Sequence, residues 1–247
     1  MSAPHDAVRV RFLPIDDVVA ARLPLLQTAL DEPERNQAER FYHRRDRDAF
    51  IAAHALTRSM LAEATGVPAA SLRFVKGPYG KPEVARSAGE RQVHFNISHT
   101  NGLVACAVGA DCELGVDVEN AERTTSLDVA HRYFAPEESA VVLSALPEQR
   151  LPLFYKFWTL KEAFIKATGE GLSRPLASFS FTLDPIRITF YRDREYAGPV
   201  DVPARWQFAQ TCPIPNRFLA VALRRPDVED LPLDIRAANM DEIVCRL

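Results

Sequence analysis

Two long segments with the spacing of an amphipathic helix most constrain the fold, one in each half of the chain. The first runs from about residue 37 to 65, as one long helix or a pair of helices, and ends at Gly66. The second is the aromatic segment 154–172, FYKFWTLKEAFIKATGEGL, where glycines at 169 and 171 end the helix. Short strand-like runs follow each segment, so the sequence predicts an α+β fold whose second half repeats the style of the first. The runs are 72–75, 93–97, 103–108 and 114–118 after the first segment, and 178–183, 187–191, 206–210 and 219–223 after the second.

The remaining segments complete this outline. A strand is predicted at 8–14, a helical region at 18–30 interrupted at Pro24, and helices at 128–134 and 136–146. The proline-rich segments 196–215 and 225–233 are interpreted as loops beyond the strand at 206–210. A short internal repeat, DAFIAA from Asp48 and EAFIKA from Glu162, favours related halves without proving duplication.

Composition limits the classes of function. The 247 residues are 47% hydrophobic, which is enough for a core in one large domain or two small ones, and we predict halves at 1–112 and 113–247. The net charge of −3 predicts no nucleic-acid partner. The four cysteines form no C-x-x-C pair, so reduced thiols are expected. With no signal-peptide pattern and no apolar run of about 18 residues, we expect a cytoplasmic protein with no membrane partner. We also expect a monomer.

Arginines are concentrated between residues 35 and 58. Six of them outnumber three acidic residues in this region. Such a cluster is typical of a site for a phosphorylated small molecule, and equally of a solvated helix face. The arginines are 35, 40, 44, 45, 47 and 58, and the acids are Glu39, Asp46 and Asp48.

Acidic residues on a predicted strand indicate a cation site. In ELGVDVE, Asp117 and Glu119 share one face of the strand, roughly 7 Å apart, and Mg²⁺ would relieve their repulsion. Glu162 is the candidate third carboxylate, and on a helix it lies one turn from Lys166. The alternatives are an acidic outer face on a half-exposed strand and a surface Glu–Lys pair.

Two further motifs carry polar groups suited to phosphate. In FNISHT, His99 and Ser98 can both donate hydrogen bonds, although a histidine in a turn is often only structural. No G-x-S-x-G surrounds Ser98, which disfavours a serine hydrolase. In GPYGKP, Lys81 follows a turn that is too short for a P-loop; the turn either delivers this lysine to a ligand or is an ordinary β-turn.

Taken in order, GPYGKP, FNISHT, GVDVE and FWTLKEAFIKATGEGL resemble the motifs of the 4′-phosphopantetheinyl transferases, specifically the larger surfactin-synthetase type. The resemblance spans about residues 40–172. It implies an α+β fold in which two similar α/β halves, each a small, largely antiparallel sheet packed with helices, form an intramolecular pseudo-dimer. Coenzyme A would bind between the halves. It also implies transfer of phosphopantetheine from coenzyme A to a serine of an apo acyl, peptidyl or aryl carrier protein, with release of 3′,5′-ADP.

The resemblance further implies a role for each matching residue. The carboxylates of Asp117, Glu119 and Glu162 would surround Mg²⁺, with Mn²⁺ as a substitute, and Glu162 would also be the catalytic base. Lys166 and His99 would contact phosphates, and Ser98 and Lys81 would hold the nucleotide. Lys76 and an arginine, of which Arg45 and Arg47 are favoured, would take the 3′-phosphate, because Asn36 and Gln37 stand where some relatives carry lysines.

Two competing functions remain at this point. A metal-dependent nuclease also uses paired acids and a lysine, but the net charge of −3 disfavours it. A non-catalytic coenzyme A or carrier-protein binding module on the same fold is disfavoured because binding alone needs no base beside the metal.

Overall fold

The computed structural model describes residues 7–77, 80–85, 92–122, 125–191, 198, 201–225 and 229–247. The first part of the chain forms β1 Val8–Pro14, α1 Asp17–Leu26, α2 Glu32–Glu39, α3 Arg44–Thr65, β2 Phe74–Lys76, β3 Pro82–Val84, β4 Val93–Thr100 and β5 Leu103–Ala110. The second part forms β6 Glu113–Asn120, α4 Asp128–Tyr133, α5 Pro136–Ser144, α6 Pro147–Thr168, β7 Phe179–Leu183, β8 Ile186–Phe190, β9 Trp206–Ile214 and β10 Arg217–Arg224. It is followed by β11 Leu233–Ala237 and α7 Met240–Cys245.

The same order of elements occurs twice. In each half a strand is followed by three helices, a two-stranded hairpin and two further strands. The long strands pair antiparallel in the order β1-β5-β4 in the first half and β6-β10-β9 in the second. The predicted α+β fold of two similar halves is therefore confirmed, and the predicted boundary at 112/113 falls in the turn between β5 and β6.

The long helices fix the structural alignment of the halves. α3 and α6 each have 22 residues, and each ends at a glycine in the left-handed region, Gly66 at φ +73° and Gly169 at φ +74°. Residues 103 positions apart, as these glycines are, are thus equivalent along the two helices. The sequence repeat at Asp48 and Glu162 has a spacing of 114 residues and is about three helical turns out of this register. It reflects the reuse of small and aromatic core residues.

Several predicted boundaries were wrong. α6 begins at Pro147 rather than at Phe154, and Pro24 lies inside α1 rather than interrupting it. Proline is well tolerated in the first turn of a helix, where its missing amide proton would have no partner, and Pro147 occupies such a position. β9 continues to Ile214, beyond the predicted strand, because Pro213 lies on the edge strand of its sheet.

The chain returns to its first half after β10. β11 pairs in parallel with β1, and α7 packs on α1 and α3. Neither element was predicted, because proline-rich sequence precedes them and both are short. Among the described residues, none of the helices is long and apolar enough to span a bilayer.

The two long helices each carry a fully buried cation at an equivalent position. Arg58 on α3 is fully buried and bonds Asp31 and Glu34, each at 2.7 Å. Lys161 on α6 is also fully buried and bonds Glu138 at 2.8 Å. Arg58 therefore belongs to the core, and the predicted surface cluster of six arginines is smaller than the sequence indicated.

Candidate active site

Alternate residues of β6 face α6. The helix lies so close that a Cβ atom on Gly115 would be 2.1 Å from the carbonyl oxygen of Ala163. No side chain fits there, so glycine allows the helix to reach the strand. The next residues on this face, Asp117 and Glu119, consequently point at side chains of α6.

Asp117 is the centre of a hydrogen-bonded group that joins the two halves. Its Oδ1 atom accepts from the Lys166 ammonium group at 2.6 Å and from the Ser98 hydroxyl at 2.9 Å. Lys166 also donates to the Ser98 oxygen at 2.9 Å. Asp117 is only 3% exposed, which excludes the alternative of an acidic outer face on a half-exposed strand.

The second carboxylate oxygen of Asp117 has the properties of a cation ligand. Its Oδ2 atom is buried and has no hydrogen-bond partner among the described residues. Glu162 lies within electrostatic reach, and burial together with the charge of Asp117 raises the pKa of Glu162 to about 7. A buried carboxylate oxygen beside a second carboxylate suits a hard cation such as Mg²⁺. Within the described part of the chain, however, no three His, Cys, Asp or Glu side chains already form a metal-binding group.

Glu119 is oriented by an aromatic residue of α6. The Trp158 indole nitrogen donates to Glu119 Oε1 at 3.2 Å. The Trp158 ring stacks on Phe154 with centroids 5.6 Å apart, which fixes the donor. The predicted group Asp117, Glu119 and Glu162 is thus placed along one strand–helix contact, with Lys166 beside it.

His99 lies at the end of β4, close to the start of α3. Neighbouring atoms partly desolvate its otherwise accessible side chain, and the charges of Lys166 and His54 act in the same direction, so its pKa is lowered. Asp46, near the start of α3, has the opposite effect on His99. The structure therefore brings the basic end of α3 towards the same site.

The basic residues predicted to hold the 3′-phosphate are all exposed. Arg45 and Arg47 are in the first turn of α3, with their Nε atoms 3.5 Å from carboxylate oxygens of Asp46 and Asp48 respectively. Lys76 ends β2. Both arginines are exposed and both contacts are long, so each arginine can exchange its contact for a stronger anion.

Lys81 contacts the protein rather than solvent alone. Its ammonium group donates to the carbonyl oxygens of Leu114 at 2.9 Å and Ala167 at 3.2 Å, which joins the β2–β3 hairpin to the end of α6. Burial, the largest cause, lowers the pKa of Lys81 to about 8 despite nearby acids. Pro78 and Tyr79 of the same motif lie outside the described residues.

Sequence reasoning assigned no role to two residues that shape this site. Gly115 lies within ELGVDVE, and Asn96 lies within FNISHT. The signal for Gly115 was a glycine inside a strand pattern, which often marks close approach of another backbone. For Asn96 no local signal was available, because its partner is on the other half of the chain.

Known proteins resemble this chain over most of its length. Residues 19–111 match the family model described as 4′-phosphopantetheinyl transferase, N-terminal, and residues 113–208 match that of the 4′-phosphopantetheinyl transferase superfamily. The chain is 36% identical over 220 residues to the 4′-phosphopantetheinyl transferase ffp of Bacillus subtilis, covering 89% of this chain and 92% of that protein. It is 35% identical over 214 residues to Sfp of Bacillus subtilis strain 168, covering 85% and 88%. It is 32% identical over 219 residues to HetI of Nostoc sp., covering 88% of each.

Proposed function

Because this chain belongs to the 4′-phosphopantetheinyl transferase superfamily, we propose that it transfers phosphopantetheine from coenzyme A to a serine of an apo acyl, peptidyl or aryl carrier protein. The observation that carries the proposal is the contact of Asp117 with Ser98 and Lys166 across the two halves, beside Glu162. One chain supplies both sides of this site, which favours action as a monomer. The cytoplasmic location stays a prediction.

Each side chain has a distinct part in the proposed reaction. Glu162, whose pKa in the metal-free protein is raised by burial and by Asp117, takes the proton of the carrier serine. The serine oxygen then forms a bond to the phosphorus that bears pantetheine, and the pyrophosphate bond breaks to release 3′,5′-ADP. Lys166 and His99 donate to phosphate oxygens where negative charge collects, which stabilises the transition state.

We further propose that Asp117, Glu119 and Glu162 hold Mg²⁺, with Mn²⁺ as a substitute. Their oxygens are the ligands that these cations prefer, and the unpartnered Oδ2 of Asp117 fits a cation. When bound, the ion would supply positive charge to the pyrophosphate oxygens.

The 3′-phosphate is assigned to the start of α3. Arg45 and Arg47 are exposed there and flank Asp46 in the sequence, whose charge reaches His99. Comparing calorimetric titrations of coenzyme A and its dephospho form with wild type, Arg45→Ala and Arg47→Ala tests this. At least one variant should lose the preference for coenzyme A, and its retention in both would move the assignment to Lys76 or Arg40.

The function itself is tested by intact-mass analysis of an apo-carrier protein after incubation with this chain, coenzyme A and Mg²⁺. We expect one phosphopantetheine per carrier, and none when the carrier serine is replaced by alanine. Tight coenzyme A binding without modification of any acyl, peptidyl or aryl carrier tested would favour the binding-module alternative. Strong, salt-dependent DNA binding would instead favour a nuclease.

A further inference from the structure

The seam between the halves is formed by two edge strands that lie side by side. β4 is the edge of the first sheet and β6 the edge of the second. Among the described residues, no backbone ladder joins them. The bonds across the seam come from side chains of β4 instead: Asn96 Oδ1 accepts from the amide of Val116 at 2.9 Å, and Ser98 Oγ accepts from the amide of Val118 at 3.2 Å.

These two bonds flank Asp117. Successive backbone amides of a strand point to opposite sides. The amides of residues 116 and 118 therefore face β4, while the amide of residue 117 faces β10. The backbone on each side of Asp117 is therefore held by a side chain from the other half. The position of Asp117 along the seam, relative to Ser98 and Lys166, therefore depends on both bonds.

Asn96 and Ser98 differ in the other groups that their side chains contact. The Ser98 hydroxyl is also engaged by Asp117 and Lys166, so its position responds to the charges of the site. Asn96 contacts the backbone of β6 one residue before Asp117 and is 8% exposed. Without its oxygen, the buried amide of Val116 would lose its partner and β6 could shift along the seam.

We infer that Asn96 is a positioning residue, which sets the place of Asp117 for the cation by fixing β6 against the first half. This inference rests on the proposed function. It predicts that loss of the Asn96 side chain weakens the use of Mg²⁺ more than loss of an equivalent bond elsewhere. A residue that only stabilised the fold would not produce that difference.

The test compares Asn96→Ala with Asn239→Ala. Asn239 is a matched control, because its side-chain oxygen likewise accepts from backbone amides, those of Asp241 and Glu242, at the start of α7. Calorimetric titrations of coenzyme A, without a carrier, are run over a series of Mg²⁺ concentrations. Asn96→Ala should raise the Mg²⁺ concentration that half-maximally improves affinity by at least about fivefold, and Asn239→Ala should leave it unchanged.

Hydrogen exchange provides a readout that needs no turnover. The Val116 amide should exchange faster in Asn96→Ala than in wild type or Asn239→Ala. A wild-type Mg²⁺ requirement in Asn96→Ala, or in Asn96→Ser if the alanine variant does not fold, would overturn the inference while leaving the transferase assignment intact. Failure of wild type itself to bind coenzyme A or modify a carrier would instead overturn the proposed function.

Discussion

The two halves share a framework but carry opposite charges at equivalent places. Asp117 pairs with the fourth residue of β10, and its equivalent Arg11 pairs with the fourth residue of β5. Lys166 on α6 is equivalent to Glu63 on α3. The second half therefore has Asp117 beside Lys166, whereas the first half has arginines on the strand and an acid on the helix.

The difference in charge accompanies a difference in packing. α6 packs over β6 and β10, while α3 packs over β4 and β5, so both helices lie towards the seam. Arg11 bonds Asp234 of β11 at 2.7 Å, and Arg9 bonds Glu63 at 2.6 Å. The equivalent positions of the first half thus serve its own stability. The two halves share one framework, and the differences between them produce a single site at their contact.

The largest effect should come from Glu162 on α6, compared with its equivalent on α3. Glu162→Gln should lower the rate of carrier modification by roughly 10² or more, because it removes the proposed base at nearly constant volume. Its equivalent, Ser59, is buried and its hydroxyl has no partner among the described residues, so Ser59→Ala should retain wild-type rates. Initial rates from intact-mass analysis check both. A Glu162→Gln rate within tenfold of wild type would refute the role of Glu162.

The buried cations should differ in their effect on stability. Lys161→Met leaves Glu138, whose side chain is fully buried, without its cation and should lower the free energy of unfolding by about 3–5 kcal/mol. Arg58→Met should cost less, because the Asp31 side chain is 24% exposed and Glu34 keeps its bond to His54. Urea unfolding of the two variants gives both values. Equal losses of unfolding free energy in the two variants would mean that the solvent exposure of the acids left without a cation does not determine the size of the loss.

A substitution at the strand residue closest to the long helix should reduce stability strongly in the second half and only slightly in the first. Gly115→Ala introduces a Cβ atom against the Ala163 carbonyl oxygen and should cost about 1–3 kcal/mol of stability together with activity. The equivalent change, Arg9→Ala, removes a partly exposed ion pair with Glu63 and should cost under about 1 kcal/mol. Thermal unfolding and transfer rates compare them. A fully active, stable Gly115→Ala would show that α6 can move away without consequence.

The smallest effect should be a pair of opposite pH dependences. Burial and Asp117 raise the pKa of Glu162 from 4.5 to about 7, so the stability from its protonated form is present below pH 4.5 and is lost as pH rises through 7. Burial opposes ionisation of Glu34, but bonds from His54 and Arg58 outweigh it and lower its pKa from 4.5. The stability from ionised Glu34 is therefore present above pH 4.5 and is lost as pH falls below that value.

Urea unfolding without metal or coenzyme A, across this pH range, separates the two groups. Glu162→Gln should reduce the loss of stability between pH 4.5 and 7 by about 1–2 kcal/mol. Glu34→Gln should reduce the loss at lower pH instead. An unchanged pH profile in Glu162→Gln would contradict the burial of that carboxylate.

The features predicted correctly from the sequence are those that depend on residues close together in the chain. Helical periodicity gave α3 and α6, and glycines gave their ends, because each signal lies within a few residues. The alternation of ELGVDVE placed Asp117 and Glu119 on one face, and the one-turn spacing placed Glu162 near Lys166. Those four side chains do lie along one strand–helix contact, while their roles stay predictions.

Long-range contacts were beyond such reasoning. Nothing near Lys81 indicated that its ammonium group would bond the carbonyl oxygens of Leu114 and Ala167. Arg58 looked like a member of a surface cluster, because burial of a cation depends on acids that come from a different helix. β11 was missed since its partner strand lies at the other end of the sequence.

That pairing of β11 with β1 also affects how the protein is made. The bond from Arg11 to the carbonyl oxygen of Asp234 joins residues 223 positions apart, so β1 leaves the ribosome long before its parallel partner exists. Closing so long a loop is slow, and an edge strand that waits for its partner can pair with other chains. During synthesis the first half is therefore incomplete until the second half has been made, and truncated or stalled chains should aggregate through β1.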